Sequence, residues 1–216
     1  MKTDFAGIKM IPDEEIKNLK DKNIIDISAG TGKSTMFLKN FCRSIIATEA
    51  RIEKFLPKDI EIFQLDVEDT ETLKNVIKNK DVLFSYGLFY HLQSHWQVLK
   101  TLCYSNLKYF FIETLCGPES SNPEMWWGRE ESSSNLNAYS NTEKNLMHGS
   151  PNLIWIHQTV NCFGASIQMV VREYQAWREN EEPSCRWRML IKIVPNTKKS
   201  IDISNIWKNV EGTWTV

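Results

Sequence analysis

The stretch that most constrains the fold is Asn23–Thr35, NIIDISAGTGKST. A β-branched run ending at Ile27 leads into a turn of small residues, Ser28–Gly32, and apolar residues recur from Met36 onward. This order predicts a buried strand, a glycine turn and the N-terminus of a helix. Glycine has no Cβ, and the first helical N–H groups have no partner within the helix. Such a junction therefore lets backbone donors approach a small polar ligand closely.

Three classes of ligand site use a junction of this kind, and the spacing of the glycines separates them. A phosphate-binding P-loop needs G-x-x-x-x-G-K-[ST], but the residue five positions before Gly32 is Ile27, so that motif is absent. A dinucleotide fingerprint G-x-G-x-x-G would begin at Gly30 and matches only in part, because its third glycine is Thr35. The third pattern, an acid followed by x-G-x-G-x-G, fits Asp26–Gly32 with one departure, Ser28 in place of the first glycine.

Strands and helices alternate through the first half of the chain. Apolar runs that end on a polar residue predict strands, and the amphipathic stretches between them predict helices. The predicted strands are Ile24–Ile27, Ser44–Thr48, Glu61–Leu65, Asp81–Gly87 and Lys108–Leu115; the predicted helices begin near Asp13, Ser34, Ala50, Thr70 and Gln93. Five strands that alternate with helices indicate a doubly wound parallel sheet.

The pattern changes after the fifth strand. Residues 116–140 are rich in Gly, Pro, Ser and Asn, and a loop of this length in a compact domain is usually functional or disordered. Downstream, the sequence predicts a helix from about Asn141 to Met147, an antiparallel hairpin of Leu153–Asn161 with Ile167–Ala176, a strand over Arg186–Val194, and a short amphipathic helix in the tail from Ile201.

Length and composition bound the class of protein. A chain of 216 residues fits one domain over residues 1–216, with an N-terminal helical segment (1–22), a lid or substrate loop (116–140) and a C-terminal extension (177–216). The five cysteines show no C-x-x-C pair and are typical of reduced cytosolic thiols. No apolar leader and no run of about 18 apolar residues occurs, so we expect a soluble, cytoplasmic protein without membrane contact. A net charge of −1 offers no global attraction for a polyanion.

Asp26-Ile27-Ser28-Ala29-Gly30-Thr31-Gly32 resembles the first motif of class I S-adenosylmethionine (SAM) dependent methyltransferases. The resemblance extends over about Ile24–Ala176. It implies an α/β fold with a doubly wound, seven-stranded, mostly parallel sheet that ends in a C-terminal antiparallel hairpin. It also implies SAM as the cofactor.

The resemblance assigns roles at the carboxyl ends of the strands, which meet in one crevice. Gly30 and Gly32 leave room for the methionine part of SAM, Asp26 lies near its amino end, Glu49 accepts the ribose hydroxyls, and Asp66 faces the adenine. The Glu49 role also has a physical basis, because an acceptor-only carboxylate takes two vicinal O–H donors. The predicted cofactor site comprises Asp26, Ser28, Ala29, Gly30, Thr31, Gly32, Ser34, Thr35, Glu49, Ala50, Arg51, Asp66, Val67, Ser85, Tyr86 and Gly87.

The segment Leu88–Leu92 is similar to a "vlYHl" segment of many small-molecule methyltransferases and of relatives that modify tRNA wobble uridine, and it would border the transferred methyl group. His91 is the first candidate for a catalytic base because of its pKa near neutrality, although a capping or core histidine explains the residue equally well. Tyr90 and Tyr86 are candidates for lining the cationic sulfonium with aromatic faces. His91 and His95 stand four residues apart without a nearby carboxylate or cysteine, so no metal is predicted.

The predicted acceptor site comprises Glu113, Trp126, Trp127, Arg129 and Tyr139. The two tryptophans equally fit a role in packing the loop onto the sheet. Basic residues at Arg172, Arg186, Arg188 and Lys192 are interpreted as the solvated side of a sheet.

These patterns favour a methyltransferase that acts on a small or medium-sized acceptor, with RNA as a second class of acceptor. Ser85–Leu88 lacks the [DN]-P-P-[YF] tetrapeptide of DNA amino methylation, and no Pro-Cys pair occurs, so DNA is excluded as substrate. Two alternatives stay open: an NAD(P)-dependent oxidoreductase that uses the same glycine turn, and a non-catalytic SAM-binding module. Oligomeric state cannot be predicted.

Overall fold

The computed structural model describes residues 10–116, 120–131, 145–174, 187–203 and 212–215. The helices are α1 (Asp13–Lys17), α2 (Lys33–Lys39), α3 (Thr70–Ile77), α4 (His95–Cys103) and α5 (Leu153–Cys162), with 3₁₀ turns at Ile52–Lys54 and Phe89–His91. The strands are β1 (Asn23–Ile27), β2 (Ser44–Glu49), β3 (Ile62–Gln64), β4 (Val82–Tyr86), β5 (Tyr109–Cys116), β6 (Met125–Glu131), β7 (Asn145–Pro151), β8 (Ser166–Tyr174), β9 (Trp187–Val194) and β10 (Gly212–Thr215).

One mixed sheet organises the described residues, with strand order β10-β8-β9-β5-β4-β1-β2-β3. The strands from β3 across to β5 are parallel, whereas β9 runs antiparallel between β5 and β8. This confirms the predicted α/β sheet of seven strands, to which β10 adds a short antiparallel edge. The turns after β1, β2 and β4 therefore lie side by side at the carboxyl edge of the sheet.

The predicted hairpin was placed one element too early. Leu153–Cys162 is helix α5 rather than a strand, and the antiparallel pair is β8 with β9. The side chain of Asn152 caps the helix by accepting the Trp155 N–H at 2.8 Å. Leu153, Ile156 and Val160 then fall on one buried face at helical spacing.

The segment expected to be a loop and a short helix contains a second, two-stranded sheet. Strand β6 lies within residues 116–140, and β7 replaces the helix predicted over Asn141–Met147; the two pair antiparallel from Met125↔Pro151 to Glu131↔Asn145. The tail from Ile201, in which a short helix was predicted, lies outside the described residues at 204–211. The division into one domain with terminal segments stays a prediction.

Helices cover both faces of the large sheet. One face packs a core of Ile25, Leu83 and Phe110 against α3, α4 and α5, and the other packs Ile24, Phe84 and Phe111 against α2 and the Met10–Leu19 segment. Among the described residues, no helix is both long and apolar enough to cross a membrane. Burial of both faces explains why the central strands are apolar without alternation.

Candidate functional site

The glycine turn between β1 and α2 has the left-handed backbone that the motif requires. Ser28, Gly30 and Gly32 have φ values of 56°, 57° and 79°. A Cβ added at Gly32 would lie 2.5 Å from Pro57 Cδ and 2.6 Å from Phe55 Cε2, whereas a Cβ at Gly30 would meet nothing within 4 Å. Gly32 is thus required by packing, and Gly30 borders open space in which a ligand has room.

Ser28, the one departure from the motif, adopts the conformation of the glycine it replaces. A left-handed backbone costs a non-glycine residue about 1–2 kcal/mol, partly offset by the greater chain entropy that glycine loses on folding. We expect Ser28→Gly to stabilise the protein by up to about 1 kcal/mol in urea unfolding. The matched control is Ser94→Gly, at φ −106°, which should destabilise; equal effects of the two changes would contradict the backbone argument.

Glu49 ends β2 beside this turn, and its carboxylate is held by three backbone donors. Oε2 accepts the Gly30 N–H at 2.8 Å, and Oε1 accepts the N–H groups of Ala50 at 3.1 Å and Arg51 at 3.4 Å. The side chain is buried, yet each carboxylate oxygen has more than one lone pair. Glu49 is thus oriented by the turn and keeps capacity for a ligand hydroxyl.

Asp26 is fully buried at the end of β1. Its Oδ2 accepts the hydroxyls of Ser34 at 2.8 Å and Thr35 at 2.7 Å, both from the first turn of α2, while Oδ1 has no hydrogen-bond partner in the described part of the chain. Burial raises the pKa of Asp26 to about 6, with a smaller upward contribution from the charge of Glu49 that the two hydroxyl bonds oppose. A buried oxygen without a donor is uncommon and marks a place that a ligand donor can complete.

Strand β4, which lies next to β1, brings two further polar side chains to the same edge of the sheet. Within the described ranges, Ser85 Oγ and Tyr86 Oη are buried and have no hydrogen-bond partner. Burial raises the pKa of Tyr86 well above 10, and the negative charges of Asp26 and Glu113 add to the effect. The predicted residues Asp26, Glu49, Ser85 and Tyr86 are therefore together at the ends of three neighbouring strands.

The acid that follows β3, Asp66, differs from Asp26 and Glu49 in its exposure to solvent. Asp66 is exposed and its Oδ1 accepts the Glu68 N–H at 3.0 Å, while the next residue, Val67, is buried in the core. The predicted contact of Asp66 with an adenine ring stays a prediction.

The Phe89–His91 turn follows β4, and both predicted catalytic residues lie in it. His91 is buried, and the rings of Tyr90 and His91 lie 4.2 Å apart. His95 does not join them in a metal site: its Nε2 lies 2.8 Å from the Phe89 carbonyl oxygen, an acceptor to which it donates. Among the residues described, no group of three or more His, Cys, Asp or Glu is arranged to hold a metal ion.

Glu113 on β5 joins the turn after β4 to strand β9. Its Oε2 accepts the Gly87 N–H at 2.8 Å, and its Oε1 accepts from Arg188 Nε in a buried ion pair. Sequence reasoning placed Arg188 on a solvated face and so missed this pair. That interpretation was also wrong for Arg172, which is buried, and for Lys192, which bonds Glu15 at 2.6 Å; Arg186 lies outside the described residues.

The β6–β7 sheet carries the two adjacent tryptophans. Trp126 and Trp127 are 51% and 54% exposed, so neither is packed away completely. The sheet is fixed beside the Phe89–His91 turn by the Gly149 N–H, which donates to the Leu92 carbonyl at 3.0 Å. The Trp127 ring also lies 6.4 Å from the His95 ring. Arg129 belongs to β6, and Tyr139 lies outside the described residues.

Solved structures with this architecture match most of the chain. A SAM-dependent methyltransferase from Listeria monocytogenes, described as putative, has a TM-score of 0.57 at 15% identity, covering 87% of this chain and 95% of that one. The fold is that of the class I SAM-dependent methyltransferases. Two further methyltransferases of this fold are also similar. Magnesium protoporphyrin IX methyltransferase from Synechocystis with bound SAM has a TM-score of 0.55 at 9% identity, covering 87% of this chain and 75% of that one. A 1,6-didemethyltoxoflavin-N1-methyltransferase from Burkholderia thailandensis has a TM-score of 0.53 at 8% identity, covering 83% of this chain and 72% of that one.

The likeness is one of structure and not of sequence. No protein-family model matches the chain, and no curated protein matches its sequence. At identities of 8–15%, the comparison supports the class I methyltransferase fold and leaves the site to be argued from its own residues.

Proposed function

We propose that this protein is a SAM-dependent methyltransferase that transfers a methyl group by direct displacement to a small or medium-sized acceptor. The observation that carries the proposal is the geometry at the ends of β1 and β2. The Asp26 Oδ1 that lacks a donor, the oriented Glu49 carboxylate and the empty space beside Gly30 lie around one turn.

These residues fit SAM by charge and by hydrogen-bonding type. An ammonium group satisfies the Asp26 oxygen that lacks a donor, and its positive charge favours the ionised carboxylate. Vicinal hydroxyls suit the remaining lone pairs of Glu49. When bound, SAM supplies a methyl group activated by a sulfonium. Tyr86, Tyr90 and the Gly87 turn would border that methyl group and exclude water from it.

Displacement at a methyl group depends chiefly on how the acceptor is placed. The Phe89–His91 turn and the exposed Trp126 and Trp127 of the β6–β7 sheet form the wall beside which the acceptor binds. His91 removes a proton from an acceptor that carries one. The two named small-molecule acceptors among the similar structures support a small-molecule acceptor here as well.

The oxidoreductase alternative gains no support from the similar structures, each of which is a methyltransferase. Strand β9 also departs from a dinucleotide-binding pattern, because it enters the sheet antiparallel next to β5 instead of continuing the parallel units. Cytoplasmic location and a non-catalytic role are tested only by experiment.

Calorimetric titration with SAM, S-adenosylhomocysteine and NADH tests the proposal directly. We expect both sulfur compounds to bind and NADH not to bind; binding of NADH alone would overturn the assignment. Methyl transfer from labelled SAM to a metabolite extract then distinguishes the enzyme from a binding module.

Glu49→Ala should weaken SAM binding by about 1–3 kcal/mol, because the ribose hydroxyls and the Gly30 N–H both lose their charged acceptor. The titration is repeated on this variant, with Glu61→Ala as the matched control, since Glu61 is an exposed carboxylate at the start of β3. An unchanged affinity in Glu49→Ala, with circular dichroism showing a folded protein, would remove Glu49 from the site.

A further inference from the structure

A groove of about 570 Å³ runs between α3 and α4, on the outside of the helical layer. Its volume falls within the range of ligand-binding clefts. None of the residues that line it belongs to the candidate cofactor or acceptor site. The groove is therefore a separate feature of the surface.

Three lysines line the groove. Lys74 and Lys78 lie one turn apart on the same side of α3, and Lys100 faces them from α4. The described lining contains no carboxylate, although acidic residues outnumber basic ones in the chain as a whole. Lys74 has Glu71 at 2.5 Å on its own helix, whereas Lys78 and Lys100 make no ion pair with any described residue. Like charges one turn apart repel each other, and a bound anion removes that repulsion.

An aromatic ring stands at the end of the same groove. Tyr104 follows α4, is 63% exposed, and has its ring centroid 5.8 Å from that of Phe163 in an edge-to-face contact. That contact limits the movement of the ring and leaves its surface accessible. Asn75 and Gln97 add amide groups that both donate and accept hydrogen bonds.

We propose that this groove binds single-stranded RNA. Two lysines at a spacing of one helical turn, with a third opposite, match a flexible row of phosphates rather than one anion. An exposed, fixed tyrosine is a stacking surface for an unpaired base. Amide side chains suit the ribose 2′-hydroxyl, which is both donor and acceptor. The groove brings these three features together, with no carboxylate in its lining and with Glu71 as the one acid paired to a groove lysine among the described residues.

The test is fluorescence anisotropy of a labelled single-stranded oligouridylate with the full chain, between about 50 and 200 mM salt. The wild type should bind, with affinity falling as salt rises. A Lys74→Gln, Lys78→Gln, Lys100→Gln triple variant should bind at least about tenfold more weakly, and its log–log salt slope should be shallower by about 2, because each phosphate contact on a single strand contributes about 0.7. The matched control changes the exposed Lys20, Lys58 and Lys198 to glutamine, outside the groove, and should keep the wild-type slope.

Substitutions at Tyr104 separate the contribution of base stacking to RNA binding from that of charge. Tyr104→Ala should weaken binding by about tenfold without changing the salt slope, and Tyr104→Phe should restore it. Absence of binding at low salt overturns the proposal, as does equal loss in the control triple variant. Equal affinity for oligothymidylate or for polyglutamate would overturn the assignment to RNA. No arm requires methyl transfer, so the result is independent of the proposed enzymatic function.

Discussion

Replacing Asp26 with asparagine should stabilise the ligand-free protein by up to about 3 kcal/mol at pH 7 and abolish SAM binding. Burial raises the pKa of this carboxyl from 3.8 to about 6, and one pKa unit corresponds to about 1.4 kcal/mol. The folded protein therefore holds an ionised carboxylate at a free-energy cost. Asparagine keeps an oxygen that accepts from Ser34 and Thr35, but it carries no charge for a ligand ammonium.

The pH dependence has a definite sign. Because the folded-state pKa lies above the unfolded one, the wild type loses stability as pH rises from about 4 to about 6, and the loss is complete above that range. The stability of Asp26→Asn relative to the wild type in urea unfolding should thus increase between about pH 4 and about pH 7. Asp59→Asn is the control, because a hydrogen bond from Lys39 lowers the pKa of Asp59. Removing this carboxylate should therefore destabilise the protein.

Two outcomes would contradict this account of Asp26. A difference in stability between the variant and the wild type that does not change from about pH 4 to about pH 7 would mean that the buried carboxyl is not ionised at a cost. A stabilised variant that still binds SAM with wild-type affinity would mean that the open Oδ1 does not face the cofactor. The predicted combination, higher stability with lost binding, is the usual exchange at a site that holds charge for its ligand.

The sequence predicted those parts of the site that depend on local order along the chain. β-branched runs located β1, β2, β4 and β5, and the position of an acid after a strand placed Asp26 and Glu49 at the same edge, since parallel strands end together. The helix predicted to begin near Thr70 does begin there, where the Asp69 side chain accepts the Thr72 N–H. Each of these depends on residues within a few positions of one another.

The misses depend on contacts between distant segments. Leu153–Asn161 contains enough apolar and β-branched residues to suggest a strand, but the Asn152 side chain caps a helix at this point. The basic residues that alternate along β8 and β9 were interpreted as the solvated side of the sheet, because the alternation alone does not show which segments cover that side. Met10 and Ile11 pack with Val171 and Leu190 on the side that carries Arg188 and Lys192, so these two cations are sheltered from water.

Replacing Glu113 with leucine should destabilise the protein by about 3–5 kcal/mol, the effect of removing one partner from a buried ion pair. Arg188 has a side chain only 17% exposed, and Glu113 is its one ion-pair partner among the described residues. Its guanidinium would remain partly desolvated without a countercharge. Urea unfolding at neutral pH measures the loss.

A double-mutant cycle separates the ion pair from the rest of the Glu113 contacts. In Glu113→Leu with Arg188→Met, the uncompensated charge is gone, and most of the lost stability should return. If the double variant is as unstable as the sum of the two single changes, the pair does not couple and the expected loss has another cause.

The same cycle tests what Glu113 does for the site. The Gly87 N–H bonds both the Glu113 carboxylate at 2.8 Å and the Glu113 backbone carbonyl at 3.2 Å, so leucine removes one acceptor and leaves the other. The double variant regains stability without regaining that carboxylate. We therefore expect its SAM affinity to stay below that of the wild type. Full recovery of affinity would show that Glu113 affects the cofactor only through stability, because the turn after β4 would then keep its geometry with the backbone acceptor alone.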